Sequence, residues 1–237
     1  MNIGRNECMA LSTLLRWTTT KLITLNLHGN DINDEDLEVF VDTVTNVNTL
    51  QALHLPWNQT ITIRGCKAVA TLLEMPGSNL EKLDINNNNF GNDGALVFAT
   101  ALVNNSTLKT LNLEDCRITR EGWAHFSKLL CDTSSVNKTY LSNHTLQTIG
   151  VGRIGFPGNL QALLALNRSR QNKQQVAITK ILQNHSHFDM QPFFEWEFKV
   201  LPIMISWFAK AAASTTEYDE KIKKMRLSAV YDFIRGL

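Results

Sequence analysis

The residues best suited to chemistry in this 237-residue chain are six histidines, a glycine-rich run and scattered carboxylates. The run from Gly150 to Gly155 has the G-x-G-x-x-G spacing with which backbone amides can bind a dinucleotide. Such a site also needs an acidic residue about 20 positions further on, but no Asp or Glu occurs between Asp132 and Asp189. We therefore expect the run to close a structural unit and to bind no cofactor.

A metal site is the second possibility to weigh. Four candidate ligands would lie on successive strands about 5 Å apart if those strands are neighbours in a sheet: His28, His54, Asp84 and Glu114. Their positions within the local pattern differ, and no residues that would orient them are evident. The remaining histidines cannot be placed on one face with a serine or cysteine nucleophile. The sequence predicts neither a metal site nor catalytic residues, and hence no enzyme.

A repeat shows which elements position these residues. In the first three copies Leu or Ile occupies positions 1, 4 and 6 and Asn occupies position 9, in units that begin at Leu22, Leu50 and Leu80. The fourth unit begins at Leu108 and has Cys116 at position 9, and a looser fifth begins at Leu146 after an insertion. Each unit predicts a short strand with its leucines inside, followed by a helix.

Position 9 predicts a ladder along the stack of repeats. An Asn side chain there can donate hydrogen bonds to backbone groups that the bend after the strand leaves unpaired. A cysteine can do so more weakly. We call this set the turn ladder, and it consists of Asn30, Asn58, Asn88 and Cys116.

These residues resemble the leucine-rich repeat superfamily, and the 28-residue period with a full helix is similar to its ribonuclease-inhibitor-like subclass. The resemblance covers residues 3–154. It implies an α/β fold, a right-handed solenoid that forms a horseshoe arc, with parallel strands on the concave side and helices on the convex side. Residues 1–155 are predicted to form this solenoid, as half a repeat plus about five repeats.

Beyond residue 155 the apolar residues recur at helical spacing, which predicts four helices over residues 156–237. We expect this α-helical region to cap the last strand, whose backbone edge and interior would otherwise be exposed. Residues 131–146, together with Phe194-x-Trp196 and Leu201-Pro202, resemble the C-terminal portion of leucine-rich repeat proteins expanded in diatoms. That family has no assigned biochemical activity.

The N-terminal end of the pattern starts in mid-repeat, because Leu15 matches the leucine at the end of a repeat helix. Two explanations stay open, a natural half-repeat cap and an N-terminally truncated chain. The strand near Leu22 to Leu27 is predicted to have an open backbone edge, through which the chain could self-associate.

Because side chains alternate along a strand, positions 3, 5, 7 and 8 of each repeat should face solvent on the concave side. This rule also places Ala52 and Pro56 there. For Trp57 two interpretations stay open, an interface hot spot and a ring folded back against Pro56. The residues predicted to bind a partner are Asn26, His28, His54, Trp57, Lys82, Asp84, Asn86, Asn112, Glu114 and Arg153.

Composition restricts the kind of partner. The formal charge is +1, and no segment is basic enough for a nucleic-acid footprint. The longest apolar stretch, residues 200–209, is far shorter than the roughly 20 residues that cross a bilayer. The N-terminus lacks a secretory pattern and the four cysteines form no C-x-x-C pair, so we expect a cytoplasmic or nuclear protein.

The predicted function is a non-catalytic module or scaffold that binds a partner protein, of unknown identity, through the concave strand surface. No nucleic acid or membrane partner is expected. The alternative is a GTPase-activating regulator, since this repeat subclass is shared with the Ran GTPase-activating proteins. That alternative depends on the likeness of fold alone.

Overall fold

The computed structural model describes residues 22–44, 49–150, 157–169 and 172–185, together with Ala10 and Thr13. Within these ranges, strands of three residues alternate with helices. The strands are β1 (Thr24–Asn26), β2 (Ala52–His54), β3 (Lys82–Asp84), β4 (Thr110–Asn112) and β5 (Thr148–Gly150). The helices are α1 (Asp34–Val44), α2 (Ile63–Glu74), α3 (Gly91–Ala101), α4 (Arg120–Leu130), α5 (Val136–Tyr140), α6 (Gly158–Arg168) and α7 (Lys173–Asn184).

The five strands form one open, parallel sheet in chain order, β1 to β5. The register aligns position 4 of every repeat, which places Leu53 beside Leu25 on one side and beside Leu83 on the other. Leu111 and Ile149 continue the same row. The α/β solenoid predicted from the repeat is confirmed.

The core lies between this sheet and the helices. Position 6 leucines such as Leu27 and Leu55 are buried, as are the helix residues Phe40, Phe98 and Phe126. A leucine to alanine change at such a position typically lowers the free energy of unfolding by about 2–5 kcal/mol. The repeat pattern therefore identifies the residues that hold neighbouring units together.

Neighbouring repeats are also joined at the start of their helices. Asp34 Oδ1 accepts hydrogen bonds from the backbone N–H of Thr62 at 2.8 Å and of Gly65 at 2.9 Å. A Cβ atom on Gly65 would lie 2.5 Å from that oxygen, so only glycine permits the approach. A similar arrangement recurs two repeats later with Asn92, Thr119 and Gly122.

The insertion before the fifth repeat contains α5, and two helices follow β5. We propose that α6 and α7 are the first two of the four predicted capping helices, with the boundary near residue 155. The apolar sets predicted for the other two helices, the half-repeat before residue 15 and most of the glycine run lie outside the described residues. Among the described strands β1 pairs only with β2, and self-association through its edge stays a prediction.

Two residues predicted to face the concave solvent are buried instead, Ala52 and Pro56. Ala52 lies in register between Thr24 and Lys82, and these longer side chains leave only 7% of the alanine accessible. Pro56 is short as well, and its carbonyl accepts the N–H of Gly29 at 2.9 Å. The alternation gave the direction of these side chains but not their size relative to their neighbours.

No helix in the described ranges is both long and apolar enough to cross a bilayer.

Candidate partner-binding surface

The strands present one row of side chains to the core and their flanking residues to the concave face. In β1 and β3, for example, the central leucine is buried while the residues on either side are exposed or half-buried. The predicted contact residues follow this pattern. Asn26, His28, Trp57, Lys82 and Glu114 are exposed, His54, Asp84, Asn86 and Asn112 are half-buried, and Arg153 lies outside the described residues.

Hydrogen bonds fix the polar residues at the strand ends. Asp84 Oδ1 accepts the Asn86 side-chain amide at 2.7 Å, and Asp84 Oδ2 lies 3.6 Å from His54 Nδ1. In the next repeat Asn112 Oδ1 accepts the backbone N–H of Glu114 at 3.2 Å. These contacts hold the polar side chains at the ends of β3 and β4 in fixed positions.

The structure does not bring the imagined metal ligands together. Across the part of the chain that it describes, no three His, Cys, Asp or Glu side chains converge on a point that could hold a metal ion. His54 and Asp84 are neighbours, and the other candidates extend from different strands.

The turn ladder residues bridge each repeat to the one before it. The Asn58 amide donates to the carbonyls of Leu27 at 3.1 Å and Leu55 at 3.0 Å. Asn88 donates to Leu55 at 3.0 Å and accepts the N–H of Asn58 at 2.9 Å. Asn30 lies at the start of the series and donates to the carbonyl of His28 at 3.2 Å.

Cys116 occupies the same position in the fourth repeat. Its Sγ atom lies 3.2 Å from the carbonyl of Ile85 and 3.4 Å from that of Glu114. Burial raises the pKa of the Cys116 thiol to about 12. The sulfur therefore keeps its hydrogen and is a donor, although a weaker one than an amide.

Position 8 of the repeat has an unusual backbone conformation, which the sequence analysis missed. Gly29, Trp57, Asn87 and Asp115 have φ angles of +64°, +60°, +53° and +53°. Glycine, asparagine and aspartate are the residues that tolerate this left-handed region, and their presence at three of the four positions was the available signal. A bulky tryptophan there costs about 1–3 kcal/mol.

The left-handed position keeps backbone pairing going beyond the strands. The N–H of Trp57 donates to the carbonyl of Asn86 at 3.1 Å, and the N–H of Asn87 donates to that of Glu114 at 2.8 Å. The Trp57 side chain stays outside the core, with 51% of the residue exposed. Trp57 is therefore the one large aromatic that the described concave face presents to solvent.

A second ladder, also missed, lies where each helix ends and the next strand begins. The Asn105 amide donates to the carbonyl of Leu73 at 2.9 Å. The Asn143 amide donates to the carbonyls of Leu102 at 2.8 Å and Asn105 at 3.0 Å. The Asn167 amide on α6 donates to the carbonyls of Asn143 at 3.2 Å and Leu146 at 2.7 Å. We call this set, completed by Lys180, the helix-end ladder.

Lys180, on α7, is the last donor of this ladder. Its Nζ atom donates to the carbonyls of Leu130 at 2.7 Å and Asn143 at 3.2 Å, and lies 3.1 Å from His144 Nδ1. His144 Nε2 lies 3.0 Å from the carbonyl of Tyr140, so Nε2 carries the imidazole hydrogen and Nδ1 accepts from the lysine. All three lysine donors therefore have acceptors.

Both side chains of this pair have pKa values below their ordinary ones. Burial lowers the pKa of Lys180 from 10.5 to about 7. Burial, with the Lys180 charge as a further cause, lowers the pKa of His144 from 6.5 to about 4. A capping box between Asn172 and Gln175 starts α7 and holds it in place for this contact.

Comparisons with known proteins agree with this architecture. The family model described as "Leucine Rich repeat" matches residues 19–41, 78–99 and 104–123. The pig ribonuclease inhibitor is 27% identical over 169 residues, which cover 70% of this chain and 35% of the inhibitor. RAN GTPase-activating protein 2 of Arabidopsis thaliana is 26% identical over 122 residues, or 52% of this chain and 22% of that protein. The chain thus spans about a third or less of these relatives.

Among solved structures, the leiomodin-1 actin-binding site 2 superimposes with a TM-score of 0.52 at 16% identity, covering 78% of this chain and 95% of that one. At this identity the likeness concerns the fold alone. Together with the repeats and the parallel sheet, these matches support a leucine-rich repeat protein with repeats similar to those of ribonuclease inhibitor.

Proposed function

We propose that this protein is a non-catalytic interaction module that binds a partner protein through its concave strand face. The observation that carries the proposal is that each repeat buries one row of strand side chains and leaves the flanking ones accessible. One row of side chains builds the core, while the flanking polar residues and Trp57 are left accessible over successive parallel strands. Solenoids use such extended surfaces for binding.

The relatives support a protein-binding role. The pig protein is by name an inhibitor of ribonuclease, and the leiomodin-1 structure is by title an actin-binding site. The contact residues that we propose are the nine described above, together with Arg153 from its place in the fifth repeat. The partner itself remains to be identified.

Buried thiols and a bound histidine also favour binding over catalysis. Burial raises the pKa of the Cys66 thiol well above its usual range, so it is no nucleophile at neutral pH. The His144 ring is held by Lys180 and by the Tyr140 carbonyl. The predicted cytoplasmic or nuclear location would keep the free cysteines reduced.

A matched pair of double variants tests the concave face. Asn26→Glu with Lys82→Glu changes two exposed residues on the strands, and Asn104→Glu with Lys67→Glu makes the same chemical changes on the helix side. Each 237-residue protein is used to capture partners from an extract of the source organism, and the captured proteins are quantified by mass spectrometry. We expect a partner that the strand-side variant loses and the helix-side variant keeps. Equal capture by both variants would contradict the proposal.

The alternative, a GTPase-activating regulator, is favoured by the similarity to the Arabidopsis protein. Hydrolysis of GTP by candidate small GTPases, measured with and without this chain, separates the two functions. Stimulation above the intrinsic rate would replace the binding module by the regulator. An unchanged rate for a GTPase that binds the chain would favour the module.

A further inference from the structure

Trp57 is the residue on the concave face that folding does not explain. It occupies a left-handed position whose counterparts are Gly29, Asn87 and Asp115. Its backbone N–H pairs with the Asn86 carbonyl as those of Gly29 and Asn87 pair with the following repeat, so any residue with a suitable φ would serve there. Half of Trp57 is exposed, and the ring adds nothing to the buried core.

The surface next to Trp57 is acidic. Asp84, Glu114 and Asp115 lie in the two repeats that follow, on the same face. Within the described ranges, neither Glu114 nor Asp115 forms an ion pair. Arg117 is close to both in the sequence, but it forms no ion pair with either of them. Lys82 lies on the same face, two residues before Asp84, and forms no ion pair with it among the described residues. An exposed aromatic ring on the same face as carboxylates that form no ion pair among the described residues suits a basic ligand.

Resting on the proposed function, we propose that Trp57, Asp84 and Glu114 bind a basic segment of the partner protein. An arginine or lysine of that segment stacks on the Trp57 ring, and its charge, or that of a second basic residue, faces the two carboxylates. Asp84 lies on the neighbouring strand, in register with His54, three residues before Trp57, and Glu114 lies two strand spacings from Trp57, about 10 Å. Basic residues at alternating positions of an extended segment, about 7 Å apart, span this distance.

This assignment predicts opposite effects of one substitution. Trp57→Asn installs the residue that the next repeat has at the same position, Asn87, which tolerates the left-handed backbone. The thermal midpoint of the variant should rise, while its binding of a basic segment should weaken. A tryptophan that mattered only for folding would give a lower midpoint instead.

The probe is a short peptide, acetyl-Arg-Gly-Arg-Gly-Arg-amide, with the corresponding glutamate peptide as control. Nitrogen-15 NMR of the 237-residue chain follows the indole N–H signals, and the signal absent from Trp57→Asn is that of Trp57. We expect a saturable shift of this signal with the arginine peptide only, reduced by added salt. Trp57→Asn should weaken peptide binding about two- to fivefold.

Glu114→Gln should weaken the peptide as well, whereas Glu74→Gln, exposed at the end of α2, should not. An unmoved indole signal, an equal response to the glutamate peptide, or full binding by Trp57→Asn would overturn the inference. These outcomes leave the proposed function intact if the strand-side variant still loses its partner. If the peptide does not bind at Trp57 and the strand-side variant also keeps its partner, the concave face is not a binding surface.

Discussion

The turn ladder and the helix-end ladder both donate hydrogen bonds to backbone carbonyls of the preceding repeat, at opposite ends of the strands. They differ in where their donors come from. In the turn ladder every donor comes from position 9 of its own repeat. In the helix-end ladder Asn105 and Asn143 come from the repeats, whereas the next donors come from the helices that follow β5, Asn167 on α6 and Lys180 on α7. The acceptors are backbone carbonyls at regular spacing, and each needs a hydrogen-bond donor. Any element that reaches a carbonyl can supply that donor.

The two ladders also differ in charge. Asn58 and Asn88 are neutral donors that need no compensation when buried, whereas Lys180 brings a charge into the protein interior. Its ammonium has three acceptors but no carboxylate among the described contacts. We infer that the turn ladder is insensitive to pH and that the junction between the repeats and α7 responds to it.

The largest effect is expected in the middle of the turn ladder. Asn88→Ala leaves the Asn58 N–H without its partner and takes from the Leu55 carbonyl one of its two amide donors. Since a buried unpaired group costs about 1–3 kcal/mol and a lost hydrogen bond about 1 kcal/mol, the free energy of unfolding should fall by about 3 kcal/mol. Urea denaturation gives the value.

Asn89→Ala is the control, because Asn89 is the exposed neighbour. It should change the free energy of unfolding by less than about 0.5 kcal/mol. Equal midpoints for the two variants would show that the ladder amide contributes no stability.

A smaller loss is expected from Lys180→Met, about 2 kcal/mol at pH 9. The variant leaves the Leu130 carbonyl unpaired and takes from the Asn143 carbonyl one of its two donors, but it also removes a side chain whose charged form is disfavoured by burial. At pH 6, where the wild-type lysine must be charged, the loss should be smaller. Denaturation of both proteins at the two pH values measures it, and an equal loss would contradict the burial of the charge.

What the sequence revealed follows from the same comparison. The turn ladder was predictable because position 9 recurs in register with the leucines. Asn105 and Asn143 hold equivalent places, but the insertion between them separates them by 38 residues and hides the period. No periodic argument could find Lys180, which lies on α7, outside the repeats.

The concave face shows a similar division. Alternation correctly gave the direction of Lys82 and Asp84, and it failed for Ala52, where the relative size of neighbouring side chains decides exposure. The left-handed backbone of Trp57 could be predicted only from the residues at the same position of the other repeats, Gly29, Asn87 and Asp115. A single tryptophan in a repeat carries no such signal.

The pH dependence of stability should change in two separate windows. Between about pH 7 and 10.5 the unfolded chain binds more protons at Lys180 than the folded chain, so stability should rise with pH. Between pH 6.5 and about 4 the same excess at His144 makes stability fall as the pH is lowered. One proton limits each slope to about 1.4 kcal/mol per pH unit.

Denaturation midpoints from pH 4 to pH 10 measure these slopes, and two variants assign them. Lys180→Met should lose the alkaline slope and His144→Gln the acidic one. If both slopes persist in the variants, other groups titrate and the junction is not the origin of the pH dependence.

The smallest effect concerns Cys116, where the turn ladder itself departs from asparagine. Cys116→Ala removes a weak donor to the Ile85 and Glu114 carbonyls, with sulfur to oxygen distances of 3.2 and 3.4 Å. Because a thiol donates more weakly than an amide, the loss should be about 1 kcal/mol, well below that for Asn88→Ala. Cys116→Asn would sharpen the comparison, since an amide that reaches Ile85 as Asn88 reaches Leu55 should stabilise the fourth repeat. Urea midpoints of the three proteins should rank Asn above Cys above Ala. A lower midpoint for Cys116→Asn would show that the site is shaped for sulfur and that the ladder position is not interchangeable between repeats.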